Sequence, residues 1–326
     1  MKQSDTVRHA AAILADRAEA NVSLSPFTTF RIGGPAHLFV RAQTMDDFAA
    51  VHHAVRETGI DVLCIGQGSN LLVADSGWAG LAVVVGGGDT ESISIDASRG
   101  EEVSVRAGAG VKLPLLARRS VVEGATGLEW MVGVPGSVGG AIRMNAGGHG
   151  SDMATSVVSV RLLDLAAEVG IVVRDAAHLG FGYRHSDLSG TEVVIDATFR
   201  CDRASPEKGE EMLREIVRWR RAHQPGGANC GSVFTNPAGD SAGRLIDAAG
   251  LKGRRIGGAS VSEKHANFIQ ADVGATAADV WSLIVDVRSS VFNHCGVVLH
   301  PEVRTAGFNA ELPPLDPSVN GHELDR

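Results

Sequence analysis

The segment GLEWMVGVPGSVGGAIRMNAGGHG, residues 127–150, constrains this chain more than any other stretch. Gly133, Gly136, Gly139, Gly140, Gly147, Gly148 and Gly150 leave its main chain bare, and Pro135 fixes part of its path. Trp130, Met131, Val134, Val138, Ile142 and Met144 are interleaved among them. A flexible linker has no use for such bulky apolar side chains. The segment therefore belongs to a packed domain whose backbone is approached closely by a ligand, of the kind that lets a pyrophosphate or a ring system lie against the main chain.

At 326 residues the chain is too long for one ordinary core, so two or three domains are expected. Glycines number 40 against 11 prolines and show no collagen-like period. The net charge of −8 argues against a nucleic-acid partner, which needs a basic stripe, while an anionic small molecule can still be held by a few local arginines. Cys64, Cys201, Cys230 and Cys295 lie far apart without CxxC pairing and read as reduced, buried thiols. The N-terminus MKQSDTVRHAAAILADRAEA has no apolar run ahead of a cleavage site, and no long apolar window suits a membrane span. The expectation is a soluble cytoplasmic protein. His52, His53 and His294 lack metal-ligand spacing, and no metal is expected.

Residues 6–19 read as a helix and 36–42 as a strand. Thr44 is placed to cap the helix MDDFAAVHHAVRETG, with Asp46 and Asp47 in its first turn. DVLCIG and LAVVV are buried strands of a small α/β unit ending near residue 86. From residue 91 alternating strands (ESISID, EEVSVRAG, VVSVRLLD, GIVVRD, TEVVIDATFR) predict a mostly antiparallel sheet. Ser205 and Pro206 start a long helix, and strands at SVF, ANFIQ and GVVLHPEVRTAG alternate with helices at SAGRLIDAAG and after Thr276. The class is α+β. The expected parts are 1–86 and 87–203 as two subdomains, 204–305 as a third domain and 306–326 as a tail.

VLCIGQGSNLLV fails the dinucleotide fingerprint, because the third glycine position is Leu71; RAGAGVKL fails likewise at Leu113. GQGSN nonetheless offers consecutive backbone N–H groups, a hydroxyl and an amide, the chemistry of an anion nest. GGANCGSVFTNP sets Cys230 and Ser232 two residues apart among glycines, as a nucleophile would be, and leaves open which of the two it is. Taken singly, Arg184 in GFGYRHSD reads as a surface arginine and Glu302 in LHPEVRTAG as an edge charge. His265 in SEKHANFI fits core packing as well as ligand contact.

Together, TTFRIGGPA, GQGSNLLV, residues 127–150, GFGYRHS, GSVFTNP, AGRLIDAAGLKG, GGASVSEKHANFI and VVLHPEVR resemble the UDP-N-acetylenolpyruvoylglucosamine reductase (UDP-N-acetylmuramate dehydrogenase) family, in its order and over about 25–305. The resemblance implies noncovalent FAD between the first two subdomains in a vanillyl-alcohol-oxidase/PCMH-type fold, and substrate in the C-terminal α+β domain. It implies NADPH as co-substrate and reduction of UDP-N-acetylglucosamine enolpyruvate for peptidoglycan. Catalytic roles fall on Arg184, Ser232 and Glu302, with Ser232 as proton donor and Cys230 a small buried neighbour. FAD contacts fall on Gly66, Gln67, Gly68, Ser69, Asn70, Gly133, Pro135, Gly136, Ser137, Gly139, Gly140, Asn145 and Gly147. Substrate contacts fall on Tyr183, Asn236, Lys264 and His265.

The chain departs from the family pattern at His223 and Thr235, where lysine is common, and at Gln270, where asparagine is usual. Its single tyrosine, Tyr183, is already used by the YR motif, so the chain resembles the subgroup lacking an inserted tyrosine loop. The reading is of a monomer acting on a UDP-sugar and NADPH, without nucleic acid or membrane. A flavoprotein oxidoreductase of another substrate and a non-catalytic FAD-binding protein are the alternatives.

Overall fold

The computed structural model describes residues 3–308 and 312–315. The chain forms two compact units. Unit 1 comprises residues 1–23, 35–68 and 78–222; unit 2 comprises 24–34, 69–77 and the chain from 223 onward. Each has its own apolar core.

In unit 1, α1 (Gln3–Leu14) is shorter than its sequence pattern suggests. Ala15 turns to φ +50°, and the strand Ala18–Ser23 takes residues 18 and 19, the end of the expected helix. α2 (Met45–Thr58) starts as anticipated: Asp47 N donates to Thr44 Oγ1 at 3.3 Å, and the Asp47 carboxylate accepts from Thr44 N at 2.9 Å. This reciprocal pair satisfies orphan donors of the first turn. The first sheet runs Ala18–Ser23, Pro35–Ala42, Trp78–Val85, Val62–Ile65, antiparallel at the first pairing and parallel at the others. Its third strand is buried from Leu81 to Val85, as a parallel strand covered on both faces must be.

The second sheet is antiparallel, in the order Val172–Asp175, Val157–Asp164, Glu192–Arg203, Glu102–Gly108, Ile93–Arg99. On its central strand Asp196 receives Arg106 Nε at 3.0 Å and Arg161 Nε at 2.9 Å. Burial opposes ionisation of Asp196, yet the two guanidiniums hold its carboxyl below the ordinary carboxylate range. α3 (Leu113–Val122) buries Leu113, Leu116, Ala117, Ser120 and Val121, one helical face. The glycine-rich segment folds into α4 (Val138–Arg143) and, after a two-residue hairpin arm at 147–148 and 151–152, α5 (Met153–Ser156).

α6 (Pro206–His223) belongs to unit 1, although the sequence suggested a domain starting at 204. Leu213 joins the first core with Ile216 and Val217 packed against it, and at Gly209, where a Cβ would lie 2.8 Å from Val121 Cγ1, α6 approaches α3 closely.

In unit 2, Ser241 caps α7 (Ala242–Ala248), and Thr276 caps α8 (Ala277–Cys295). α8 buries Val280, Ile284, Val287 and Val291 as their spacing foretold. The Asp75 carboxylate also accepts from Ala277 N at 2.8 Å and Ala278 N at 3.0 Å, which binds the inserted segment 69–77 to this helix. Phe30, Ile32 and Leu72 join the second core, and Leu71–Val73 pairs in parallel with Arg304–Ala306. These two insertions were not separated from the first subdomain by sequence. A three-stranded sheet (Arg255–Ile256, Ala259–Val261, Ile269–Ala271) completes the unit. SVF forms isolated bridges rather than a strand, and only Arg304–Ala306 of GVVLHPEVRTAG is strand. The expected tail lies mostly outside the described residues.

Candidate active site

Unit 2 brings Ser232 and Glu302 together. Ser232 bridges Phe268, Phe234 bridges Pro301, and Glu302 N donates to Val233 O at 2.7 Å. Both residues are half-buried. The segment is held by Asn267, 4% exposed, whose Nδ2 donates to Phe234 O at 2.8 Å while its Oδ1 accepts from Phe234 N at 2.9 Å. A side-chain amide thus replaces a strand partner. Asn267 was not singled out from sequence; its signal is a lone amide within the apolar run ANFI.

Asn70 Nδ2 donates to the Glu302 carbonyl at 3.0 Å, and Asn70 O accepts from Arg304 N. Asn70 therefore fixes Glu302, a use the sequence reading of a cofactor contact did not include. Cys230 is buried, and burial followed by the nearby Glu302 charge pushes its thiol up to about 12. It stays protonated near neutral pH and is a poor nucleophile.

Arg184 belongs to unit 1. Gly182 and His185 exchange backbone hydrogen bonds at 3.0 and 3.1 Å, which leaves Tyr183 and Arg184 at the tip of a tight turn. Arg184 adopts φ +57°, the position such a turn normally gives to glycine or asparagine. Its guanidinium carbon lies 5.1 Å from the centroid of the exposed Tyr183 ring, and Nη2 donates to Gly147 O at 3.4 Å. A strained non-glycine residue at a solvent-facing tip is a functional signal. The turn is pinned by Asn145, 5% exposed, whose Nδ2 donates to Gly182 O at 2.9 Å and whose Oδ1 accepts from Ala154 N at 2.9 Å. The amide expected to contact FAD is engaged with the protein.

Other substrate candidates lie in unit 2. Asn236 Oδ1 accepts from Ala242 N at the start of α7. Lys264 lines a cleft of about 460 Å³ with Arg255 and Gln270, and Gln270 Nε2 donates to Gly226 O at 2.9 Å. His265 stacks edge-on against Phe268 at 4.8 Å, and its Nδ1 accepts from Asn267 N. Burial, with Lys252 nearby, lowers its pKa despite a backbone hydrogen bond, so it is a neutral brace rather than a cation.

Two observations test whether unit 1 fits an extended dinucleotide. A Cβ at Gly66 would lie 2.2 Å from Ser137 Oγ, and that hydroxyl, in a residue 1% exposed, has no hydrogen-bond partner among the described residues. A buried unsatisfied hydroxyl beside a bare backbone is a ready contact for a polar ligand. Gln67 and the buried Gly68 follow Gly66 in unit 1, while Ser69 falls with Asn70 in unit 2. Gly136 and the exposed Gly140 and Pro135 flank Ser137. Gly139 differs: its Cβ would meet Ala109 Cβ at 3.0 Å, so it serves internal packing. Gly133 and Gly147 are likewise crowded, by His149 and by the 151–152 backbone. Among the described residues no group of three or more His, Cys, Asp or Glu could hold a metal, and no helix is long and apolar enough to cross a membrane.

Residues 36–173 match the family model of the FAD binding domain, and this part of the chain is a flavin-domain fold of mixed helix and strand. Residues 223–306 match the model described as UDP-N-acetylenolpyruvoylglucosamine reductase, C-terminal domain, which begins where unit 2 resumes. The UDP-N-acetylenolpyruvoylglucosamine reductase of Pelobacter propionicus is 40% identical over 289 residues, covering 88% of this chain and 95% of its own. That of Methylorubrum extorquens is 40% identical over 307 residues, covering 94% and 97%. The crystal structure of the reductase from Thermus caldophilus aligns with a TM-score of 0.75 at 33% identity, over 89% of this chain and 99% of that one. The chain belongs to the UDP-N-acetylenolpyruvoylglucosamine reductase family.

Proposed function

We propose that the protein reduces UDP-N-acetylglucosamine enolpyruvate to UDP-N-acetylmuramate, with FAD bound noncovalently and NADPH as co-substrate, acting as a cytoplasmic monomer in peptidoglycan precursor synthesis. The observation that carries this reading is the pairing of Ser232 with Glu302 on hydrogen-bonded segments of the domain that matches the family's C-terminal model. Flavin binding alone requires neither residue.

The chemistry FAD supplies when bound is hydride carriage from NADPH to the enolpyruvyl double bond. Gly66, Gln67, Gly68, Ser137 and Gly140 would hold it in unit 1. Reduction develops negative charge on the carbon next to the substrate carboxylate and in that carboxylate. Arg184 stabilises this charge as it forms, and Glu302 hydrogen-bonds the same group in its protonated form or through water. The Ser232 hydroxyl gives its proton to that carbon: the O–H bond breaks and a C–H bond forms on one fixed face. An alcohol is a weak acid, so transfer requires a separation of about 3 Å and exclusion of water. Tyr183, Asn236 and Lys264 serve the UDP-sugar.

The test is the visible spectrum of the purified protein. NADPH should bleach the flavin anaerobically, and colour should return only when the enolpyruvyl substrate is added. A flavin that NADPH reduces but this substrate leaves bleached would contradict the assignment.

A further inference from the structure

Cys64 was expected to be a buried thiol; it is exposed. It lies on the strand Val62–Ile65, which runs into Gly66. Neighbours on a strand face opposite ways, so Cys64 looks away from the core that Ile65, 2% exposed, enters, and the chain leaves the strand at Gly66 two residues on. The surroundings of Cys64 are nevertheless dense: desolvation, opposed only in part by the Arg143 charge, pushes its thiol up to about 12.

A second observation identifies what this end of the strand receives. Two residues beyond Cys64, a Cβ at Gly66 would run into Ser137 Oγ, the buried hydroxyl without a partner among the described residues. Ser137 stands at the N-cap position of α4 without a side-chain cap bond, and α4 ends at Arg143, whose charge reaches Cys64. The strand end and the start of α4 therefore lie against one another in unit 1, within the span that matches the FAD binding domain.

We propose that bound FAD covers the Cys64 side chain, and that a group attached to this sulfur blocks cofactor loading. The inference rests on the FAD part of the proposed function and not on its substrate. The neutral thiol packs against the cofactor without forming a bond to it, in agreement with noncovalent binding.

N-ethylmaleimide tests this on the full-length holoprotein and on apoprotein prepared from it. The sulfur adds across the maleimide double bond; an S–C bond forms, the thiol proton ends on the neighbouring carbon, and nothing leaves. Peptide mass spectrometry follows Cys64, with the exposed Cys295 in unit 2 as internal reference. Cys64 should label on the order of tenfold more slowly with FAD than without, since modification rate follows access, while Cys295 labels alike in both. Labelled apoprotein should no longer quench FAD fluorescence, whereas apo Cys64→Ser given the same treatment should load normally. Equal labelling of Cys64 with and without FAD overturns the inference, as does normal FAD uptake by Cys64→Phe. Failure of untreated apoprotein to take up FAD would instead overturn the flavoprotein reading itself, and the inference with it.

Discussion

The Arg184 turn in unit 1 and the Ser232 segment in unit 2 are each fixed by a buried asparagine, but the two amides work under different conditions. Asn267 bonds both the N–H and the C=O of Phe234, a residue 2% exposed, where no water can substitute. Asn145 bonds Gly182 O and the N–H of Ala154, an exposed residue where water can. The Arg184 turn also carries left-handed backbone at Arg184, and the asparagine that pins it is itself left-handed, φ +39°. One proposed catalytic residue thus stands on a segment whose fold and function share the same bonds, the other on a turn that holds strain.

The largest stability effect should therefore come from Asn267→Ala. It orphans two buried backbone groups, at about 1–3 kcal/mol each, and should lower the denaturation midpoint clearly. Asn145→Ala should cost about 1–2 kcal/mol, since water replaces part of the bonding while alanine still faces a positive φ. Its activity loss should fall on the step with enolpyruvyl substrate and not on reduction by NADPH. Equal destabilisation by the two substitutions would break the comparison. Arg184→Gly sharpens it: turn strain is relieved, so the melting temperature should be unchanged or raised while substrate reduction collapses.

The smallest effect is the pH dependence of stability, to which each unit contributes one histidine. Burial lowers the pKa of His149, with Arg220 adding to the effect, and burial lowers that of His265. Both folded values lie below 6.5, so the unfolded chain takes up protons first as pH falls. Their contribution is complete above about pH 6.5, declines below it, and stops changing once the folded values are passed. Urea midpoints measured from pH 7.5 to 5 should fall, and His149→Gln or His265→Gln should flatten part of that fall. Asp196, held below its ordinary value, acts in a separate window below about pH 4. A flat profile from pH 7.5 to 5 would mean that the fold holds neither histidine neutral.

What was legible in the sequence was local. The Thr44 and Thr276 caps, the buried face of α8 and the alternation of the second sheet each follow from residues within a turn or a strand of one another. Ala18–Ser23 was hidden because it becomes a strand by pairing with Pro35–Ala42. Leu71–Val73 was hidden because its partner is Arg304–Ala306, at the other end of the chain. In the site, Ser232 and Glu302 were marked by motifs, but Asn267 and the bracing uses of Asn70 and Asn145 depend on tertiary partners. Composition expected four buried thiols; Cys64 and Cys295 are exposed, since a strand face and a helix end can each leave a thiol uncovered.

The central claim is that the Ser232 hydroxyl, and not the neighbouring thiol, supplies the proton. Stopped-flow measurement of the two half-reactions in Ser232→Ala and Cys230→Ala tests it most directly. Ser232→Ala should retain FAD and be reduced by NADPH at close to the normal rate, while reoxidation by the enolpyruvyl substrate slows by about 10²–10⁴-fold or more. Cys230→Ala should run both half-reactions nearly normally, with at most a modest stability loss from the space left behind. A Ser232→Ala protein that reoxidises normally beside an inactive Cys230→Ala would contradict the account and move the chemistry to the thiol.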